Sequence, residues 1–311
     1  MKPEILKISH KNSSERDFSL PLVSVVVINL NQGHYLLDCL VSIINQSYRN
    51  IEIIVQDGQS NDNSLLTLER FPQVLLVSEK DLSSSHAFAK AVDRANGKYL
   101  FFLNSSDGFY SNTWVENTVL KLEESTNVSM VTGSVVGINP DSNVNSYSWP
   151  TKNRKVQRWK QNFYSWLFDG FGFTPISFGI NASVLRSCSM PSEKFLPPGV
   201  PNSVDFFWYL SENFFSKGYI SLRSNEIAAF VRLHTDRVDD SKYLLRQMSQ
   251  LNSFILNFRK KLLLGQSGLN FVSPAGDKLN NYQIRIWELW FFFILAKIRN
   301  RLNQKPRNGM K

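Results

Sequence analysis

The chain has 311 residues, 42% hydrophobic and 20% charged, with 35 Lys and Arg against 26 Asp and Glu for a formal charge of +9. This composition excludes a disordered tail and a collagen-like repeat, and its length suits one large domain or a domain with an appendage. Two cysteines, Cys39 and Cys188, exclude a disulfide framework and a Cys-rich zinc site, and point to a reducing compartment.

Residues 1–20 are charged throughout and contain no apolar stretch of signal-peptide length, so they read as a polar leader. Leu22 to Ile28 is a nearly uninterrupted β-branched run, the pattern of a strand covered on both faces. A polar turn at 29–33 follows, then Leu36, Leu37, Leu40, Ile43 and Ile44 draw one stripe along a helix. The cycle repeats: Ile51 to Val55 as a strand, Ser64 to Arg70 as a short helix, Val74 to Val77 as a third strand. Ala87, Phe88, Ala91, Val92 and Ala95 then mark a helix that Gly97 is placed to stop, and Tyr99 to Leu103 is a fourth strand. Alternating strands and helices with short links predict an α/β fold with a mostly parallel central sheet flanked by helices.

Beyond Val136 the rhythm weakens, and residues 137–155, rich in Asn, Ser, Asp and Pro, read as loops. Val156 to Phe168 is basic, aromatic and helical in pattern. Val204, Phe207, Leu210 and Phe214 share helical spacing, and Ile227 to Val231 is a further strand. From Lys242 onward only helical stretches remain, one through Leu244 to Ile255 and one over 284–302. The organisation expected is therefore a leader (1–20), a main domain (21–240) and a helical C-terminal region (241–311).

Ligands of an open α/β sheet collect at the carboxyl ends of its strands, and Asp57 and Asp107 follow the second and fourth strands. Each carboxylate either serves a ligand there or caps a helix or turn. The surrounding residues favour a ligand. Val23 to Gln32, then Asn45-Gln46-Ser47-Tyr48, then Gln56-Asp57-Gly58-Gln59-Ser60-Asn61-Asp62-Asn63-Ser64 resembles the opening of family 2 glycosyltransferases, which have the GT-A fold. The likeness runs on through Ser78-Glu79-Lys80-Asp81, Ala95-Asn96-Gly97-Lys98-Tyr99 and Leu103-Asn104-Ser105-Ser106-Asp107, covering about residues 22 to 110 in order.

The resemblance implies a nucleotide-diphosphate sugar donor, most simply a UDP-sugar, with Asp57 on the base, Ile28 and Leu30 lining the same pocket, and Asp81 close by. It puts residues 104–107 where the family orients ribose and ligates Mg²⁺ or Mn²⁺. Here the chain departs: Asn104 and Ser106 hold the two acidic positions, and only Asp107 is acidic. A serine oxygen is a poorer ligand for a hard dication than a carboxylate. Three arrangements answer this: Asp107 takes over as metal ligand, basic side chains replace the metal, or the chain is an inactive relative. His86 stands where the family often has a carboxylate, and either contacts the diphosphate or faces solvent at a helix start.

In the second half, Val204-Asp205-Phe206-Phe207-Trp208 resembles the segment whose Asp is the general base of inverting members, so Asp205 is the expected catalytic base; otherwise it is a helix N-terminal carboxylate. Phe230-Val231-Arg232-Leu233-His234 looks like the strand ending in Arg-x-His, which would set Arg232 and His234 at the diphosphate, unless Arg232 only pairs with a carboxylate. Gly170 to Pro175 either shapes the acceptor cleft or is core.

The C-terminal stretch Trp287 to Leu295 is densely apolar and flanked by Arg285, Lys297, Arg299, Arg301, Lys305, Arg307 and Lys311. It is too short to span a bilayer and suits a helix lying on a membrane surface, a homodimer contact or a helix docked on its own domain. The combined expectation is an inverting transferase acting on a glycan or lipid-linked acceptor in cell-surface polysaccharide synthesis, cytoplasmic or peripheral at the inner membrane face. The competing reading is a non-catalytic subunit that binds a sugar nucleotide or a partner glycosyltransferase. Nucleic acid is disfavoured because the basic residues are dispersed, and an NAD enzyme because no Gly-x-Gly-x-x-Gly follows the first strand.

Overall fold

A computed structural model describes residues 16–148, 158–169, 175–196, 205–234, 254–266 and 269–303. The expected boundary near 240, most of Gly170 to Pro175, and the stretch 244–251 lie outside them.

Four strands, β1 (Val23–Asn29), β2 (Ile51–Asp57), β3 (Val74–Ser78) and β4 (Tyr99–Asn104), pair in parallel in the order β3-β2-β1-β4. All seven residues of β1 are buried. Val26 joins a core under one face with Ile54, Leu100 and Phe102, while Val25 and Val27 join the opposite core with Ile53, Val55 and Phe101. Burial on both faces is why the strand reads as an unbroken apolar run rather than an alternation. Helix α1 (Gly33–Ile44) covers one face, and α3 (Ser84–Arg94) covers the other, after the short α2 (Ser64–Leu68). The chain steps outward from β1 to β3 and then returns to the far side of β1 for β4. That reversal makes the β1/β4 edge the topological switch point.

Gly97 does not stop α3. The helix ends at Arg94, and Ala95 is already extended at φ −73°, ψ 132°. Gly97 instead lets two backbones meet: its N–H donates to Ser24 Oγ at 2.8 Å, and a Cβ there would lie 2.5 Å from the Ser24 nitrogen.

Beyond β4 the sheet becomes mixed. The chain adds β5 (Gly108–Phe109), α4 (Trp114–Glu124), β6 (Met130–Ile138) and β7 (Val144–Ser148), then α5 (Arg158–Asp169), β8 (Phe178–Asn181), α6 (Ala182–Cys188), α7 (Phe206–Ser216) and β9 (Ser221–Arg232). β8 runs antiparallel to β4 and β6, and β9 lies parallel to β6 and antiparallel to β5. Residues 137–155, expected as loop, contribute the end of β6 and its antiparallel partner β7. β9 is longer than the five-residue strand expected there, and it carries Arg232 to the same edge of the sheet as Asp107, whose Oδ1 accepts the Arg232 N–H. Helices α8 (254–263) and α9 (Ile286–Asn303) complete the chain. Ile255, Leu262, Leu289 and Ala296 enter the same core as α3, α5 and α7, so the C-terminal helices pack on the sheet domain.

Candidate functional site

Strand register builds the first part of the site. Asn29, Asp57 and Ser78 are neighbours across β1, β2 and β3. The Asp57 carboxylate is fully buried and accepts Asn29 Nδ2 (2.8 Å), Ser60 Oγ (2.5 Å), Ser60 N–H (3.0 Å) and Ser78 Oγ (2.7 Å). Burial alone would raise its pKa, but the hydrogen bonds from Ser60, Ser78 and Asn29 outweigh burial and hold it below the ordinary value. Four donors fill the two oxygens. Asp57 thereby organises its own loop, in which Gln59 is held in the left-handed region at φ 64°.

The neighbouring acid is more open. A Cβ on Gly58 would lie 2.8 Å from Asp81 Oδ2 and 3.3 Å from Leu30 Cδ1, so these three residues share one corner at the carboxyl end of β1 and β2. Leu30 is 48% exposed there. Burial raises the Asp81 pKa, Lys90 draws it partly back, and the charge of Asp57 pushes it up again. Ile28, expected in this pocket, is packed into the core beneath α3; only its carbonyl reaches the edge, accepting Ser105 N–H at 3.0 Å.

The fourth strand ends in the Asn104–Asp107 turn. Asp107 is 1% exposed, and its oxygens accept Asn104 Nδ2 at 2.7 Å and the Arg232 N–H at 3.0 Å. Ser106 is buried as well. Among the described residues no three His, Cys, Asp or Glu side chains gather as a metal-binding group. A neutral serine and one carboxylate, each of whose oxygens already accepts a hydrogen bond, make a poorer donor set for a hard dication than a pair of acids.

Arg232 was expected either at the diphosphate or paired with a carboxylate, and its guanidinium pairs with Asp38. It is fully buried and donates to Ser106 O (3.2 Å), Pro140 O (2.8 Å), Ser142 Oγ (2.8 Å) and Asp38 Oδ2 (2.7 Å), lying 4.6 Å from the centre of the Tyr35 ring. It is a positioning residue that ties the 104–107 turn to α1 and to the β6–β7 connection. His234 follows at the same edge, half-buried, its ring 4.9 Å from that of Tyr35.

The third part is where α3 and α7 begin. Ser83 caps α3, and His86 sits in the first turn, its Nδ1 accepting Leu82 N–H at 3.0 Å. That bond leaves the proton of the neutral ring on Nε2. Burial, then the Lys90 charge, lowers the His86 pKa, which keeps the ring neutral near pH 7. Asp205 is the N-cap of α7: one oxygen accepts Phe207 and Trp208 N–H at 3.0 Å each, and the other accepts Ser85 Oγ at 3.0 Å. Burial raises its pKa despite these donors. Ser85 also accepts Phe206 N–H at 3.0 Å, so it joins the two helix starts.

The fold thus gathers Leu30, Asp81, His86 and Asp205 around β1, β2 and the start of α3, and Asn104, Asp107, Arg232 and His234 around the ends of β4 and β9. Sequence reasoning missed Asn29, Ser60, Ser78, Ser85 and Asp38. Asn29 was marked by its position closing the β1 run; nothing along the chain marks Ser85 or Asp38.

Residues 24–185 match the family described as Glycosyl transferase family 2. The UDP-Glc:alpha-D-GlcNAc-diphosphoundecaprenol beta-1,3-glucosyltransferase WfgD of Escherichia coli is 24% identical over 249 residues, 76% of this chain and 87% of WfgD. Chondroitin synthase of Escherichia coli is 28% identical over 142 residues, 44% of this chain but only 21% of that enzyme. Among solved structures, S. aureus TarS superposes with a TM-score of 0.55 at 14% identity, covering 92% of this chain and 44% of TarS. Its 1–349 fragment in complex with UDP gives 0.53 at 12% identity, covering 93% of this chain and 74% of the fragment. At such identities these structures establish the fold alone.

Proposed function

The chain belongs to glycosyl transferase family 2 and is a glycosyltransferase, and from that premise we propose that it moves a sugar from a UDP-linked donor to a hydroxyl of a glycan or lipid-linked acceptor, with inversion, in cell-surface polysaccharide synthesis. The observation that carries the reading is Asp205: a carboxylate with burial-raised pKa, fixed at a helix start and hydrogen-bonded to Ser85, next to His86 in the first turn of α3.

In this reading the base and ribose lie at Leu30, Gly58 and Asp81. The neutral His86 presents Nε2–H to the donor, and His234 stands at the 104–107 turn for the diphosphate. One Asp205 oxygen stays on the α7 backbone, which fixes the carboxylate, and the other exchanges Ser85 Oγ for the acceptor hydroxyl and takes its proton as the acceptor oxygen bonds to the anomeric carbon and the bond from that carbon to the diphosphate breaks, releasing UDP. A base with a raised pKa is the better proton acceptor for an alcohol. The divalent ion implied by the family has only that poorer donor set among the described residues, and no step runs through it. Support for donor and acceptor comes from relatives: WfgD is named for UDP-Glc and a diphosphoundecaprenol acceptor, and the TarS fragment was solved with UDP and with UDP-GlcNAc.

The test is a screen of UDP-sugars for protection against thermal unfolding, followed by transfer assays on the hits. Ligand at 100-fold over Kd adds about 2.7 kcal/mol, roughly 5 °C in a chain of this size. Asp205→Asn keeps that protection, because an amide oxygen still caps α7, and loses about 10²- to 10⁴-fold in kcat. A variant that turns over at the wild-type rate, or a chain that no UDP-sugar protects, overturns the proposal.

A further inference from the structure

Helix α9 has two opposite apolar faces, and among the described residues only one of them packs on the domain. Leu289 and Ala296 are buried, Phe292 stacks on Tyr164 with ring centres 4.1 Å apart, and Glu288 pairs with Lys160 at 2.7 Å. These contacts fix how the helix is rotated on the domain. The other face then holds Ile286 (57% exposed), Trp287 (61%), Trp290 (44%), Phe291 (52%), Ile294 (52%) and Ile298 (49%). At 3.6 residues per turn these six fall within roughly 140° of arc. A continuous apolar stripe of this kind marks an interaction surface rather than scattered exposure.

Charge around the stripe selects the partner. After Glu288 the chain carries six Lys and Arg and no Asp or Glu to its last residue. Lys297 Nζ lies 4.6 Å from the centre of the Phe293 ring, its stem running along the helix with the charge at the end. At the other end of the stripe a cavity of about 500 Å³ is lined by Ile286 and Leu289 together with two cations, Lys278 and Arg285. A stripe with two tryptophans, set between cations at both ends, matches the interfacial layer of a bilayer with anionic headgroups, where indole rings and basic side chains each find their partner. No described helix is long and apolar enough to cross a membrane. A homodimer would have to bring the same cationic ends together.

We propose that α9 is a membrane-docking helix, its Trp287–Trp290–Ile294 face lying in the headgroup region of an anionic bilayer while its Leu289–Phe292–Ala296 face holds the domain against it. This surface shares no residue with the carboxyl edge of the sheet, so it stands or falls independently of the transferase chemistry.

The experiment is flotation of the full chain with vesicles of phosphatidylcholine alone and of phosphatidylcholine with phosphatidylglycerol. Each cation near an anionic surface is worth about a five-fold gain in partitioning, so the phosphatidylglycerol vesicles bind at least ten-fold more protein, and the excess collapses as salt rises from about 0.1 to about 1 M. The double variant Trp287→Glu, Trp290→Glu loses at least ten-fold in binding while its UDP protection stays at the wild-type value and its melting temperature falls by no more than a few degrees, since Trp287 is 61% exposed and Trp290 touches the core-packed Phe293 edge-on. Equal binding of both vesicle types, or a double variant that floats like wild type, overturns the proposal. So does a lipid-free chain that sediments as a dimer and becomes monomeric in the double variant, which would make the stripe a self-contact.

Discussion

Arg232→Met separates a structural cation from a catalytic one. In the wild type the guanidinium makes four hydrogen bonds, one of them to Asp38, and is 1% exposed against 22% for its partner carboxylate. Removing one partner of a buried charged pair costs about 3–5 kcal/mol. Asp38 and the part-buried Pro140 O can recover part of that by rehydration, whereas Ser106 O and Ser142 Oγ each lose a donor in a buried site, at about 1–3 kcal/mol apiece for any left unpaired. We therefore expect a loss near 3–5 kcal/mol, read as a fall in melting temperature of about 6–10 °C. The Asp107–Arg232 bond survives, because its donor is the main-chain N–H. Well below the melting point, UDP affinity measured by calorimetry then changes less than about three-fold, a small fraction of the stability cost. Arg232→Lys keeps a charge for Asp38 but not the planar fork, and recovers part of the loss. A diphosphate ligand would behave in the opposite way: deleting a charge-assisted bond to the nucleotide costs about 1.5–3 kcal/mol of binding, or roughly 10- to 150-fold in Kd, with the melting temperature nearly unchanged. That second pattern would refute the assignment of Arg232 as a positioning residue.

The donor set at Ser106 and Asp107 leads us to expect that UDP affinity is the same within about two-fold in Mn²⁺ and in EDTA; a ten-fold drop in EDTA would mean that Asp107 leaves Asn104 to take an ion. The hydrogen bonds on Asp57 hold its folded pKa below 3.8, so the stability it contributes is present above the unfolded pKa and lost as pH falls through the folded one. Asp57→Asn accordingly costs about 1–3 kcal/mol at neutral pH, by turning an amide donor toward donors, and flattens the acid limb of a urea-denaturation profile below pH 4. Gly97→Ala pushes a methyl into the Ser24 backbone and costs about 1–3 kcal/mol by chemical denaturation; a neutral result would mean that the two segments separate freely.

The parts of the fold that were legible in the sequence are those whose burial is uniform. β1, β2 and β4 have core on both sides, so each appears as an apolar run, and α1 and α3 each show one stripe; the edge strand β3 reads as an apolar run too, although Leu75 and Leu76 are exposed. β6 and β7 escaped notice for a physical reason. Gly133 interrupts β6 where a Cβ would lie 2.6 Å from that of Ala228 on β9, and the register shifts around it. Close approach demands a small residue, and a small residue erases the apolar signal. The helix α4 was not read from the sequence, although Trp114, Val115, Thr118, Val119 and Leu122 are buried at helical spacing.

The candidate site was legible in a different sense: the sequence named charged residues that lie along the carboxyl edge, but not the partners that neighbouring elements bring to them. Asp57 sits in the most recognisable motif of the chain, yet Asn29 from β1, Ser78 from β3 and Ser60 from its own loop fill its oxygens. Arg232 stands at the expected strand end, and Asp38, 194 residues away in sequence, claims it. Whether a charged side chain serves a ligand or the fold depends on how many donors and acceptors neighbouring elements deliver to it, and that count is set by register and packing across the sheet. Asp81 and Asp205 differ from Asp57 on this count. Asp81 borders the open corner at Leu30, and Asp205 has a single hydroxyl on its second oxygen, one that an acceptor hydroxyl can replace in kind. Burial raises the pKa of both, whereas in Asp57 the hydrogen bonds win. Among these three acids, the two with raised pKa are the ones whose oxygens receive fewer hydrogen bonds than those of Asp57.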